Sequence, residues 1–297
     1  MLTYRLFRAA AWLVQRLPRS VSYALAWAGG WLAFHLAARA RVALRQNLRH
    51  VMGPDAPAGA VDRAVLGAFR TSAYNYVDMF RIPAVSPQAL LARTTVHHGE
   101  RMLDSWAAGK GVIVVTAHFG NFDLLVQASQ AYNIPVVALA EKLDPPELYD
   151  FIVGLRVSHG LRIVPVDKSA LREIVRTLKT GGVLAMAGDR DLQRRGVPTP
   201  FFDAEAPLPA GPVDLAVDTG AVLLPTFGLR RPGGRYEIFF EEPLPLQRER
   251  TPEASAHNRR LLAAVMERFI GAQPDQWIVF EPIWKAPPEP VEKAQAR

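Results

Sequence analysis

His118 is the residue of this 297-residue chain best placed to move a proton. It closes the apolar run Gly111-Val-Ile-Val-Val-Thr-Ala, a glycine follows at position 120, and the carboxylate of Asp123 arrives five positions after the ring. A neutral imidazole can take a proton from an alcohol near neutral pH when a neighbour fixes its tautomer and offsets the charge it gains. This spacing makes His118 the expected base and Asp123 its expected orienter. A packed histidine beside a helix-capping aspartate would show the same two residues, so the surrounding elements carry the argument.

The valine-rich stretch from Gly111 to Ala117 reads as a short strand buried on both faces, and the apolar spacing after Gly120 predicts a helix from about Asn121. His118 is then expected at the carboxyl end of a strand, where open α/β sheets place their ligands. The helix start would offer backbone N–H groups near Gly120 and Asn121 to developing negative charge. A second constellation, Gly188-Asp-Arg-Asp-Leu-Gln-Arg-Arg-Gly196, also follows a predicted strand. Asp189 and Asp191 could accept hydrogen bonds from sugar or glycerol hydroxyls, and Arg190, Arg194 and Arg195 could meet phosphate. Taken alone, such a loop is equally a solvated surface.

Residues 1–85 read as largely helical, with breaks at Pro54 and Pro57. Beyond Pro87 strands alternate with helices. Strands are expected over 111–117, 134–140, 161–166, 183–187, 221–229 and 236–241, with helices near 122–132, 146–158, 169–179, 212–218 and 254–270. This order predicts an α/β fold with a mixed, largely parallel central sheet flanked by helices. The last two strands should form a hairpin, and Pro225 argues for an edge or a bulge in the first of them. Three segments are expected: an amphipathic helical membrane-binding segment over 1–85, an α/β core over 86–287, and a disordered tail over 288–297.

The chain has no cysteine, which excludes disulfides, thiolate metal sites and a cysteine nucleophile. Its net charge of +7 is concentrated in the arginines between Arg5 and Arg49, all of them ahead of the first acid, Asp55. Nucleic-acid binding would call for basic residues over the body of the fold, with a reading motif, and none is present. The basic segment is also apolar, with Trp12, Trp27 and Trp31, and Ser20 to Ala38 holds no charged residue. Helices lying in an anionic membrane surface, a marginal membrane span and a buried helix pair all fit this pattern. Arginines on both sides of the apolar run argue against a cleaved signal peptide. No metal site is expected, and a serine hydrolase is disfavoured because no Gly-x-Ser-x-Gly elbow occurs.

As a set, Thr116-Ala-His-Phe-Gly-Asn-Phe-Asp123, Gly188-Asp-Arg-Asp191, Phe201-Phe202, Pro209-Ala-Gly-Pro212 and Pro274-Asp-Gln-Trp277 resemble the bacterial acyltransferases that complete lipid A. They equally resemble the related phosphatidylinositol mannoside acyltransferases, within the lysophospholipid acyltransferase group. The resemblance implies that His118 is the catalytic base and Asp123 its partner. It also implies roles for Glu141 after the next strand and Arg156 in the following helix. It further implies an acyl donor on coenzyme A or acyl carrier protein, no cofactor, and a membrane glycolipid as acceptor. The expected place is the cytoplasmic face of the inner membrane, held peripherally or monotopically on its anionic surface. Arg190 between two aspartates, and Asp123 where lipid A enzymes commonly carry glutamate, look more like the mannoside branch. Two rival readings remain: a peripheral protein that holds lipid without altering it, and a metal-dependent phosphoesterase using His118, Asn121, Asp123, Asp189 and Asp191.

Overall fold

The computed structural model of the chain describes residues 2–167 and 169–284. The tail expected over 288–297, and the last residues of the expected core, lie outside the described residues. Four helices come first: α1 (Leu2–Arg16), α2 (Arg19–Leu36), α3 (Ala38–Met52) and α4 (Ala58–Arg81). Proline sets two of their starts, since Pro18 and Pro57 stand at the N-caps of α2 and α4, where a missing N–H costs nothing. Helix α2 approaches α4 along Ser22, Ala26 and Gly30, and a Cβ on Gly30 would come within 2.7 Å of the Arg70 Cα. Small residues on that face therefore let the two backbones close up. The opposite face of α2 leaves Leu25, Trp27, Trp31, Leu32 and Leu36 exposed. Among the described residues no helix is long and apolar enough to cross a membrane.

The remaining chain alternates. It runs α5 (Pro87–Leu91), β1 (Thr94–His97), α6 (Gly99–Ala107), β2 (Val112–Thr116), α7 (Phe122–Ser129), β3 (Val136–Ala140), α8 (Pro146–Arg156) and β4 (Arg162–Pro165). Then follow α9 (Leu171–Lys179), β5 (Val183–Ala187), β6 (Val197–Phe201), β7 (Ala204–Leu208), α10 (Gly211–Thr219), β8 (Val222–Arg231), β9 (Arg235–Phe240) and α11 (Pro252–Ala272). Seven strands form one sheet in the order β1-β9-β8-β2-β5-β3-β4. Every pairing is parallel except β8 with β9, so the sheet is mixed and largely parallel, with helices on both faces. A separate antiparallel ribbon joins β6 to β7. Leu44, Leu48, Val61 and Val65 of the early helices share one apolar core with Ile113, Leu184 and Leu223 of the sheet.

Pro225 does not mark an edge or a bulge, as the sequence suggested. Strand β8 is interior, pairing with β2 up to Pro225 and with β9 from Thr226 onward. The proline stands where one ladder hands over to the other, and its carbonyl still accepts from Glu241 N at 2.9 Å.

Candidate active site

The centre of the sheet explains why the chain carries a histidine where it does. Strand β2 is buried at every position, and it runs parallel to β5 with Thr116 opposite Ala187. Both strands therefore release the chain at the same sheet edge. Gly188 N continues the ladder onto Thr116 O at 2.8 Å, and one residue further along each chain stand Asp189 and, beyond Ala117, His118. The His118 Nδ1 lies 2.8 Å from Asp189 Oδ1, while the His118 backbone N–H donates to Asp189 Oδ2 at 2.8 Å. Trp277 Nε1 donates to the same Oδ2 at 2.9 Å. The carboxylate is fully enclosed, whereas 20% of the ring remains exposed.

Burial pushes the Asp189 carboxyl up, but the facing His118 ring and the hydrogen bonds from that ring, from Trp277 and from the His118 backbone outweigh it. The net effect holds Asp189 below its ordinary range, hence ionised and acceptor-only. An acceptor at Nδ1 fixes the tautomer: the proton sits on Nδ1 and the Nε2 lone pair is free to take another. Phe122 meets the imidazole edge-on, with ring centroids 5.4 Å apart.

Asp123, expected as the orienter, does not meet His118. Its carboxylate is held by Arg156, with Nη2 donating to Oδ2 at 2.9 Å and Nε at 2.7 Å from Oδ1, the latter without hydrogen-bond alignment. The glycine turn is the cause. Gly120 takes φ +57°, and a Cβ there would fall 1.7 Å from Gly228 O, so the loop is pressed against β8 before α7 begins. Asp123 then belongs to the first turn of a helix that leads toward α8 rather than back to the ring.

Two other expectations also change. Gly120 and Asn121 do not offer free N–H groups, because Gly120 N donates to Gln276 O at 2.8 Å and Asn121 N to Gly228 O at 3.0 Å. The Asn121 side chain caps α7 through Leu124 N and donates to Asp78. Asp191 accepts from Arg195 N and Gly196 N, which closes its own loop. Arg190 bridges Glu281 at 2.6 Å and Glu141 at 3.3 Å, so these two carboxylates already share its charge. Of the residues that invited a metal site, His118 and Asp189 thus pair with each other, while Asn121, Asp123 and Asp191 turn to other partners. No group of three His, Cys, Asp or Glu among the described residues could hold an ion.

His118 opens onto two cavities. One, of about 340 Å³, has a rim of Glu141, Arg190, Asp191 and Arg195 and a wall from the Pro209–Pro212 turn. The other, of about 90 Å³, is lined by Phe122, Asp123, Val126 and Arg156 over the faces of β2, β3 and β5. This second cavity shares Val114, Val126 and Ala185 with a further apolar one, lined by Met102, Leu103, Tyr132, Ile134 and Ile238. Together they extend an apolar groove away from the ring beneath α7. The arrangement can deprotonate a hydroxyl presented from the polar cavity beside a hydrocarbon chain laid in the groove.

The Asp189 contact was missing from the sequence reading although both motifs were recognised. Strand order was the absent information, since the β2–β5 register alone brings the two motifs together.

Comparison with known proteins points the same way as the geometry. Over 286 residues the chain is 28% identical to a phosphatidylinositol mannoside acyltransferase of Mycolicibacterium smegmatis, covering 94% of this chain and 90% of that protein. A phosphatidylinositol mannoside acyltransferase of Mycobacterium tuberculosis H37Rv is 29% identical over 267 residues, covering 86% of this chain and 80% of that protein. The family model described as bacterial lipid A biosynthesis acyltransferase matches residues 1–286, and the chain belongs to that family.

Proposed function

We propose that this protein moves a long-chain acyl group from an acyl thioester, carried on coenzyme A or acyl carrier protein, to a hydroxyl of a membrane glycolipid. The observation that carries the reading is the imidazole of His118, held at Nδ1 by a buried carboxylate and open at its other edge to a polar cavity and an apolar groove. His118 Nε2 takes the acceptor proton as the oxygen attacks the thioester carbonyl, and it returns that proton to the departing thiolate. Asp189 balances the imidazolium in between, a task assigned from the sequence to Asp123. Arg156 on the groove wall, fixed by Asp123, supplies positive charge to the oxyanion. No cofactor enters the scheme.

Two relatives named for phosphatidylinositol mannoside, with Arg190 in the second motif, favour a phosphatidylinositol-mannoside-like acceptor over a lipid-A-like one. The cytoplasmic face of the inner membrane is the proposed location. Support comes from the exposed apolar side chains of α1 and α2, among them Leu6, Trp12, Trp27 and Trp31, close to a run of arginines. The test is His118→Ala assayed with a long-chain acyl thioester and glycolipid acceptors by mass spectrometry. Transfer should fall by about 10² to 10⁴ with the fold intact. Wild-type turnover from the folded variant would sink the assignment, as would cells lacking the protein that retain every acyl chain on their glycolipids.

A further inference from the structure

A cavity of about 480 Å³, larger than the polar one at His118, lies on the other side of α7. Leu124 and Gln127 form one of its walls, whereas the catalytic groove uses Phe122, Asp123 and Val126 of the same helix. The rest comes from the start of α2, the end of α4 with the turn after it, α5, His159 and Tyr236. It shares no lining residue with the cavities at His118.

Its charge is one-sided. Arg19, Arg81 and Arg93 line it together with His159, and Asp78 is the sole acid. Asp78 is committed elsewhere, paired with Arg230 and accepting from Tyr236 and Asn121. None of the three lining arginines forms an ion pair with a carboxylate among the described residues. Arg19 donates to the Tyr23 and Tyr236 hydroxyls and Gly234 O, and Arg81 donates to Val14 O and Leu17 O. Arg93 makes no side-chain hydrogen bond among the described residues, and it is exposed. His159 Nε2 lies 2.7 Å from Ile82 O. Clustered guanidinium groups without acids call for an anion, and their forked donors match phosphate.

We infer that this cavity is a second binding site, outside the catalytic groove, for a phosphate ester, its phosphate group met by the arginines. The position suits a lipid headgroup as well as a soluble ester, because Arg19 begins α2 and Arg81 ties the end of α1, the two helices with the exposed apolar face.

Calorimetric titration of the full chain with glycerol 3-phosphate and with inorganic phosphate tests this. Arg93→Gln is the first variant, since its side chain carries no internal contact whose loss would unfold the protein, and His159→Gln is the second. Arg5→Gln, from α1 outside the cavity, is the control. Glycerol 3-phosphate should bind wild type and Arg5→Gln alike, bind Arg93→Gln about tenfold more weakly, and still bind His118→Ala. The last arm separates this site from the fate of the catalytic assignment. No binding, or equal binding to wild type and both cavity variants, would overturn the proposal. Inorganic phosphate binding as tightly as the ester would leave the free anion, not an ester, as the ligand. Flotation with phosphatidylcholine vesicles, alone or mixed with phosphatidylglycerol, then identifies the source. Capture lost in Arg93→Gln but kept in Arg5→Gln marks a lipid headgroup, and capture kept in both marks a soluble ester.

Discussion

Asp78 and Asp189 are both buried carboxylates near the same sheet edge, and they differ in where their hydrogen bonds lead. Asp78 accepts from the hydroxyls of Tyr23 and Tyr236, from Asn121 Nδ2 and from Arg230. Arg230 turns its remaining contacts inward as well, to Asn75 Oδ1 and to the rings of Tyr23, Tyr74 and Tyr236. Asp78 and Tyr236 border the cavity beside Arg19, but no imidazole is bonded into that cluster. Burial and the Asp78 charge together push the Tyr236 hydroxyl far up, so it stays a protonated donor. The Asp189 carboxylate takes three such bonds, and one partner is an imidazole whose far edge reaches a cavity. Burial of charge is common to structural and catalytic groups; an imidazole at the open end of the network is what separates them here.

The sharpest way to break this contrast is to neutralise each carboxylate. Asp189→Asn should cut turnover about a hundredfold or more while the protein stays folded, because the ring loses the partner that fixes its tautomer and offsets its charge. The pH dependence of stability should change with it. Asp189 is held below its ordinary range in the folded state, so the stability it confers is present above the unfolded value near about 4 and is lost as pH falls through the folded value. Melting temperatures taken from neutral to acid pH should therefore drop less steeply for Asp189→Asn than for wild type.

Asp78→Ala should do the reverse. Stability should fall by about 3–5 kcal/mol, read from denaturant unfolding, because Arg230 and two tyrosines are left buried without their acceptor. Activity per folded molecule should stay near that of wild type. A hundredfold loss of turnover in a stable Asp78→Ala protein would erase the distinction between the two clusters. Asp123→Asn should have a smaller effect, about tenfold in kcat/KM, since Arg156 keeps one hydrogen bond but loses a charge partner that is only partly buried. If Asp123→Asn were as damaging as Asp189→Asn, Asp123 would be acting on His118 in a conformation other than this one.

The strands were legible wherever both faces are buried, because such strands read as continuous β-branched runs; β5 falls at the residues expected, Val183–Ala187. The β6–β7 ribbon was not legible, since Pro198, Pro200 and Pro207 read as breaks, and only a two-stranded ribbon away from the main sheet tolerates them. Strand β1 was missed for another reason: it is short, partly exposed, and pairs only with β9 at the sheet's margin. At the site, His118 was found from local pattern, whereas its partner depended on a register set between segments far apart in sequence. Sequence proximity favoured Asp123, and a turn forced by one glycine took that residue elsewhere.

Trp277 adds a matter of timing. It bonds Asp189, its backbone bridges Phe119, and the next residue, Ile278, donates to His118 O at 2.9 Å. During synthesis the ribosome delivers the histidine and the aspartate long before this clasp emerges. The contacts around the histidine are therefore complete only when the closing segment docks, and a nascent chain halted short of it would lack that clasp.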